Sequence, residues 1–125
     1  MALLEVEDLQ VGYGFPVLMG ISFEVEEGET AVLFGLNGAG KTTTVATIAG
    51  LLKPDAGSIR FAGEEIGGRR PPDLVNKGIA LVPEGRLVFH DLSVSANLRM
   101  GAWSRRRDDD IDARRDLVFE YFPRL

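Results

Sequence analysis

Two stretches near the start of the chain alternate between apolar and polar residues, which predicts half-buried β-strands. The alternation is imperfect over residues 3–9 and clean over residues 21–26, and a turn containing glycine and proline at 12–16 separates them. A further short strand is predicted at 58–62.

Two other segments are continuously apolar. Residues 31–34 (Ala-Val-Leu-Phe) and residues 79–82 (Ile-Ala-Leu-Val) lack any polar alternation, which is typical of strands buried on both faces of a parallel sheet. A glycine-rich segment follows the first run, and a helical pattern follows that segment. This series of strand, loop, helix and strand indicates an α/β fold.

Helical periodicity appears in four places. In the first, apolar residues recur at i, i+3, i+4 and i+7, which predicts a helix whose buried face carries Val45, Ile48, Ala49 and Leu52. Gly50 interrupts this pattern and predicts an early end of the helix. Shorter helices are predicted at 72–77, at 93–100 with Ser93 as N-cap, and at 111–122.

Composition and charge exclude several classes of protein. The chain has 125 residues, which is one domain or part of one, and a formal net charge of −5. It therefore has no excess of cations for coating nucleic acid, and no nucleic-acid partner is expected. It contains no cysteine and a single histidine, His90, which excludes disulfide scaffolds, thiol catalysis and zinc sites built from Cys or several His. Neither a signal peptide nor a membrane-spanning run is apparent.

The strongest chemical signal is a phosphate-loop motif at residues 35–42. The sequence Gly-Leu-Asn-Gly-Ala-Gly-Lys-Thr fits G-x-x-x-x-G-K-[ST] and lies between an apolar run and a helical pattern. Glycines allow the backbone to curl around phosphate oxygens, and the following helix directs its positive end at the anion. Lys41 supplies a compact cation for the outer phosphates, and Thr42 offers a hydroxyl to Mg²⁺.

The sequence resembles the ATP-binding subunits of ABC transporters, and more narrowly those of branched-chain amino-acid importers. Four stretches carry the resemblance, in this order: residues 11–14, the phosphate loop at 35–43, residues 82–86 and residues 92–102. The loop alone indicates a P-loop NTPase. All four together are specific to the ABC class.

The resemblance implies a fold, a cofactor set and a set of site residues. The fold is an incomplete α/β, P-loop NTPase-like ABC nucleotide-binding domain: an antiparallel β lobe (1–30), the phosphate-loop strand, loop and helix (31–53), further β and core strand (54–84) and the start of a helical lobe (85–125). The cofactors are ATP and Mg²⁺, with Tyr13 stacked on adenine. The residues implied to bind nucleotide are Tyr13, Gly35, Asn37, Gly38, Ala39, Gly40, Lys41, Thr42 and Thr43; Lys41 and Glu84 are implied to be catalytic, and Thr42 and Glu84 to bind metal.

Glu84 departs from the commonest family pattern. Most ABC ATPases carry a glutamine at this place, which senses the γ-phosphate and magnesium, and a carboxylate there is shared with the branched-chain importer type. A carboxylate is a hard oxygen ligand for Mg²⁺ but repels a metal-free phosphate. We therefore expect its contact with nucleotide to depend on the metal.

The resemblance also implies partners and a location. A second ATPase subunit would close over the nucleotide, and residues 85–102, which include Leu87, Val88 and Phe89, would dock on membrane permease subunits. The subunit would lie in the cytoplasm, peripheral on the inner face of the cell membrane, and power import of a small solute, with branched-chain amino acids favoured.

Several parts that hydrolysis requires in this family do not occur in the 125 residues: the Leu-Ser-Gly-Gly signature, a strand ending in Asp-Glu, and a histidine near the γ-phosphate. We therefore expect an N-terminal half of the domain that is inactive by itself. An unpaired strand at 31–34 would favour a domain-swapped homo-oligomer. A non-hydrolysing binding fragment and another P-loop enzyme remain as alternatives; a GTPase is disfavoured because Asn76-Lys77-Gly78 is followed by isoleucine rather than aspartate.

Overall fold

The computed structural model describes residues 1–125, which form two compact units, residues 1–81 and residues 82–125. The first unit contains strands β1 (Leu4–Gly12), β2 (Pro16–Val25), β3 (Ala56–Phe61) and β4 (Glu64–Glu65), and helices α1 (Lys41–Ile48) and α2 (Pro71–Lys77). The second unit contains helices α3 (Val94–Gly101) and α4 (Ile111–Tyr121), with a 3-10 turn between them at Trp103–Arg105.

The four strands form one antiparallel sheet in the order β2-β1-β3-β4. The predicted strands at 3–9, 21–26 and 58–62 are confirmed, and β1 and β2 are longer than predicted because both continue to the tight turn at 13–15. One face of the sheet is covered by the helices of the unit and holds the core. The buried apolar residues of this core are Val6, Leu9, Val11, Leu18, Ile59, Ile66 and Leu74.

Strand β1 carries one extra residue near its middle, which explains its imperfect alternation. Its pairing with both neighbouring strands shifts register around Asp8, and Asp8 adopts a left-handed backbone conformation with φ of 45°. Val6 precedes the bulge and Leu9 follows it, and both are buried. The bulge thus changes which sequence positions face the core.

Residues 31–34 and 79–82 are not strands, so that part of the prediction is wrong for these 125 residues. Neither run pairs with the sheet, and Val32 and Phe34 are 63% and 90% exposed. An apolar run indicates that a segment is suited to burial on both faces, but a strand also needs neighbours that accept its backbone hydrogen bonds. Those neighbours are not among the strands of this chain.

Helix α1 is shorter than predicted, and its buried face differs in part from the predicted one. The helix ends at Ile48, and Gly50, with φ of 78°, closes it through hydrogen bonds from Gly50 N to Thr47 O and from Leu51 N to Ala46 O, which is a Schellman motif. Its buried side chains are Thr43, Thr44 and Thr47, whereas Val45 is exposed. The predicted early end is confirmed. The predicted apolar face is confirmed in part, because Ile48 and Leu52 pack against the core, but it is wrong for Val45, and the fully buried side chains of α1 are threonines.

A cluster of charges holds α2 to the β3–β4 hairpin. Lys77 in the last turn of α2 donates a hydrogen bond to Glu64, with Arg69 also within 3.9 Å of that carboxylate. The hydrogen bond from Lys77, and then its charge, lower the pKa of Glu64. Because this pKa is lower in the folded chain, the contribution to stability is present above the unfolded pKa and is lost as pH falls through the folded value.

In the second unit, the predicted helices at 93–100 and 111–122 are confirmed within a residue, with Ser93 Oγ capping α3 by accepting from Ala96 N. The charged residues between these two helices form ion pairs with near neighbours, for example Arg105 with Asp108 and Asp110 with Arg114.

Across both units, none of the helices has both the length and the apolar character that crossing a membrane requires.

Two glycine substitutions separate steric crowding from backbone strain. A Cβ at Gly50 would lie 2.5 Å from Arg69 O, whereas one at Gly28 would meet nothing within 4 Å, and both glycines have φ near 79°. We expect Gly28→Ala to lower the free energy of unfolding by about 1–2 kcal/mol from backbone strain alone. Gly50→Ala should cost about 1–3 kcal/mol more, because crowding adds to the strain. Urea denaturation followed by circular dichroism measures both; equal losses would contradict the close approach at Gly50.

Candidate functional site

The glycine-rich loop at 35–40 is compact and is held against the sheet. Gly38 and Gly40 have φ of 84° and 98°, a left-handed conformation that a side chain disfavours. Gly40 is also crowded, because a Cβ there would lie 2.5 Å from Leu18 Cδ2 on β2. At the other end of the loop, a Cβ on Gly35 would lie 2.9 Å from Ala39 Cβ. Glycine is therefore required for backbone conformation at Gly38 and for both conformation and packing at Gly40.

Most backbone amides around this loop have no protein acceptor. Ala39 N donates to Leu36 O at 3.0 Å and closes a turn, and the first helical bond of α1 runs from Thr44 N to Gly40 O. The amides of Gly38, Gly40 and the first three residues of α1 make no such bond. These donors, together with the positive end of the helix dipole, form a cradle for an anion.

Lys41 lies over the loop. Its ammonium donates to Gly35 O at 2.6 Å and to Leu36 O at 2.9 Å, so the side chain bends back from the helix onto the first residues of the loop. An ammonium group has three donors, and two are used here. The third remains for a ligand held by the loop amides.

The threonines of α1 divide into two kinds. Thr44 Oγ1 donates to Gly40 O and Thr47 Oγ1 donates to Thr43 O, and both side chains are buried. Thr42 is exposed and its hydroxyl makes no hydrogen bond within the chain. Of these hydroxyls, that of Thr42 is available as an oxygen ligand, which fits Mg²⁺ bound together with a phosphate. No group of three His, Asp or Glu side chains is arranged to hold a metal by itself.

Tyr13 lies at the turn between β1 and β2, on the part of the sheet that holds the loop. Val11 pairs with Leu18, and Leu18 lies next to Gly40; Tyr13 follows the last residue of β1, Gly12. Its side chain is 53% exposed. The turn is tight because a Cβ on Gly12 would lie 2.5 Å from Phe15 O. The ring is therefore accessible for stacking.

An open cleft of about 480 Å³ also lies at this turn, lined by Gln10, Phe15, Met19 and Asp55 among others. Neither Tyr13 nor any phosphate-loop residue lines it. The cleft is therefore separate from the cradle of amides, and the geometry of the glycine-rich loop indicates the anion site.

Glu84 lies in the second unit, where it is exposed and precedes Gly85 with φ of 76°. Its assignment as a metal ligand stays a prediction.

Asn97 organises the loop before α3, and sequence reasoning missed this residue. Its Oδ1 accepts from Phe89 N at 2.9 Å, and its Nδ2 donates to the carbonyl oxygens of Phe89, Leu92 and Ser93 at 3.0–3.2 Å. Leu87, two residues before the segment that Asn97 holds, is 74% exposed. The available signal was an asparagine inside a helix, where it has low propensity unless its side chain bonds to local backbone.

Comparison with known proteins identifies the family. The family model described as "ABC transporter" matches residues 18–122. The chain belongs to the ABC transporter family. The resemblance found in the sequence is thereby confirmed, and an unrelated P-loop enzyme is excluded.

Curated relatives within the ABC transporter family differ in their named cargo. The chain is 42% identical over 98% of its length to the high-affinity branched-chain amino acid transport ATP-binding protein BraG of Pseudomonas aeruginosa, of which it covers 53%. It is 39% identical over 88% of its length to the ribose import ATP-binding protein RbsA of Rhodococcus jostii, covering 22% of it. The chain thus spans about half the length, or less, of these relatives.

Solved ABC structures share the fold. A nucleotide-free ATP-binding cassette superposes with a TM-score of 0.73 at 25% identity, over 100% of this chain and 56% of that one. An ATP-binding subunit of an ABC transporter gives 0.71 at 36% identity, over 86% and 44%. A cassette in its ADP conformation gives 0.61 at 34% identity, over 62% and 31%. The expected partial ABC-type α/β fold is confirmed.

Removal of the Asn97 side chain should loosen the segment 89–92. We expect Asn97→Ala to raise the rate of chymotrypsin cleavage after Phe89 or Leu92 about tenfold, since the net loss of one or two hydrogen bonds is about 1–2 kcal/mol of local stability. Asn76→Ala is the matched control, because Asn76 is exposed and makes no side-chain hydrogen bond. Limited proteolysis read by mass spectrometry compares the two; similar rates would show that Asn97 does not hold the loop.

Proposed function

We propose that this chain binds MgATP through residues 35–43 and forms part of an ABC subunit whose ATP hydrolysis powers import of a small solute. The observation that carries the proposal is the cradle of free amides at Gly38, Gly40 and the start of α1, together with the Lys41 ammonium bound to the loop carbonyls of Gly35 and Leu36. Such a cradle suits a tetrahedral anion that accepts several short hydrogen bonds at once.

Adenine is proposed to stack on Tyr13. The support is its exposed ring and the route of contacts from Val11 through Leu18 to Gly40, which joins the tyrosine turn to the phosphate loop within one unit. Base–aromatic stacking contributes about 1–3 kcal/mol in nucleic-acid systems. Binding of the base and binding of the phosphates are thus expected to be separable by mutation.

Hydrolysis and transport are proposed for the whole subunit. The 125 residues contain neither the Leu-Ser-Gly-Gly signature nor an Asp-Glu strand end, so the chain alone is proposed to bind nucleotide without turnover. Glu84 as a magnesium ligand and catalytic residue, a second ATPase subunit, and a location at the inner face of the membrane are proposals that rest on the family resemblance.

Permease docking through 85–102 is supported by the exposed apolar side chains of Leu87, Val88 and Phe89, next to backbone that Asn97 holds in place. An exposed apolar group on an ordered loop is typical of an interface. Branched-chain amino acids are the favoured solute because the relative named for them matches 98% of the chain at 42% identity.

Loss of the Lys41 charge should abolish tight triphosphate binding. We expect Lys41→Ala to weaken binding of a fluorescent ATP analogue by about 10- to 150-fold, since a hydrogen bond to a charged group contributes about 1.5–3 kcal/mol. Fluorescence anisotropy with Mg²⁺ present measures the change. Lys53→Ala is the matched control, because it removes the same charge from an exposed turn outside the loop.

A wild-type chain that folds by circular dichroism but does not bind the analogue at millimolar concentration would refute the proposal for these 125 residues. Equal affinity of Lys41→Ala and Lys53→Ala would refute the assignment of the anion site to the loop.

Removal of the Thr42 hydroxyl should affect only the metal complex. We expect Thr42→Val to weaken binding of MgATP by about tenfold, roughly the 1–2 kcal/mol of a hydroxyl contact to an ion, and to leave binding of ATP in EDTA unchanged. Isothermal titration calorimetry in both buffers tests this. Thr30→Val, at an exposed position outside the loop, should change neither; a loss in EDTA as large as that in Mg²⁺ would contradict the metal role of Thr42.

A further inference from the structure

The hydrogen bonds of the phosphate loop fix its shape but do not attach it to the sheet. Every hydrogen bond that the loop makes has its partner within residues 35–44: from Ala39 N to Leu36 O, from Lys41 Nζ to Gly35 O and Leu36 O, and from Thr44 N and Oγ1 to Gly40 O. The segment that enters the loop, residues 31–34, does not pair with the sheet either. Packing therefore sets the position of the loop on the sheet.

The side chain of the sheet that lies nearest the end of the loop is Leu18 of β2. A Cβ on Gly40 would lie 2.5 Å from Leu18 Cδ2, closer than any real side-chain contact, and 3.6 Å from Val17 Cγ1. Leu18 is 4% exposed and belongs to the same buried core as Leu9. A side chain in a close-packed core moves aside only by displacing its neighbours. Leu18 is thus a fixed surface against which the backbone of Gly40 lies.

Gly40 is the residue at which the loop becomes a helix. It is the N-cap of α1, with φ of 98°, and its carbonyl oxygen accepts from Thr44 N and from Thr44 Oγ1, both at 2.8 Å. The side chain of Thr44 is buried. Leu18 therefore holds Gly40 from the sheet, and Thr44 holds it from the helix. The orientation of Gly40 sets the direction of the amides at residues 40–43, which have no protein acceptor.

We infer that Leu18 is a positioning residue for phosphate binding: its side chain fixes Gly40, and through Gly40 it directs the unpaired amides of residues 40–43 at one anion. The inference rests on the proposed function, and Leu18 acts through Gly40 without contact with the ligand. An anion that accepts several hydrogen bonds at once binds best to donors whose directions are set beforehand. A loop that could move on the sheet would have to be ordered at each binding event, which lowers affinity.

The first test compares two buried leucines. We expect Leu18→Ala to weaken binding of ATP and of inorganic tripolyphosphate by the same factor, about 5- to 30-fold, the equivalent of fixing the backbone of one further residue on binding. Leu9→Ala is the matched control, because Leu9 is buried in the same core but is not among the side chains nearest Gly40. It should destabilise the fold similarly and leave both affinities unchanged. Isothermal titration calorimetry measures the affinities of chains that circular dichroism shows to be folded.

Three results of this comparison would overturn the inference. Equal losses of affinity in Leu18→Ala and Leu9→Ala would show that Leu18 acts only through the stability of the fold. A loss confined to ATP would show an effect on the base, because tripolyphosphate has none. Leu18→Met keeps the side-chain volume and should bind both ligands within about twofold of the wild type; a chain as weak as Leu18→Ala would contradict a packing role.

The second test places a methyl group directly in the contact. Gly40→Ala strains the backbone whichever residue stands at 18, but the new Cβ meets Leu18 Cδ2 only when leucine is present. We expect Gly40→Ala to reduce tripolyphosphate affinity at least about fivefold more in the wild-type chain than in the Leu18→Ala chain. Equal factors in the two backgrounds would overturn the inference. Leu18→Val also lacks the Cδ2 atom and replaces Leu18→Ala if that variant does not fold.

Failure of the proposed function is recognised separately. A folded wild-type chain that binds neither ATP nor tripolyphosphate would refute the proposed function. The hold of Leu18 on Gly40 is measured without ligand by hydrogen exchange of the Thr44 amide, which donates to Gly40 O. We expect Leu18→Ala to raise this exchange rate about tenfold by local opening and Leu9→Ala to leave it within about twofold. An unchanged rate in Leu18→Ala would overturn the inference whatever the ligand affinities.

Discussion

The close approach of Gly40 to Leu18 is the contact on which the site depends. The last glycine of the loop lies so near the Leu18 side chain that no Cβ fits between them, and its left-handed backbone turns the chain into α1 at that point. Loop and helix start are thereby seated on β2. The amides of the first turn of α1 have no protein partners, because the first amides of an α-helix lack intrahelical acceptors, and an anion can accept from them.

Two apolar segments of the first unit, residues 31–34 and 79–82, are not covered by its sheet. Val32 and Phe34 precede the loop with apolar side chains largely exposed, and residues 79–82 have no strand partner either. Both runs have the composition of a sheet interior, and neither finds a neighbour in the β2-β1-β3-β4 sheet. The phosphate loop is therefore anchored at Leu18, while the segment that enters it, residues 31–34, does not pair with the sheet.

In the second unit, hydrogen bonds between neighbouring residues fix the backbone conformation, whereas in the first unit a buried core does so. None of its residues is buried, yet Asn97 makes four hydrogen bonds to the backbone of 89–93, and Ser93 caps α3. Such bonds depend on a few neighbouring residues and not on a core. The backbone of residues 89–93 is therefore held in one conformation while the side chains of Leu87 and Phe89 remain exposed.

The sequence by itself determined the features whose cause is local: the alternating strands, the glycine motif at 35–42, the cap at Ser93 and the early end of α1 at Gly50. These depend on backbone conformation and on hydrogen bonds within a few residues, which side-chain type controls. Only the tertiary structure decided the rest. The threonine side of α1 faces the sheet although Val45 is more apolar, residues 31–34 are exposed although they resemble a buried strand, and Asp8 exchanges the faces of β1. Each of these depends on which distant segment is adjacent, and adjacency is a property of the packed chain that no local pattern encodes.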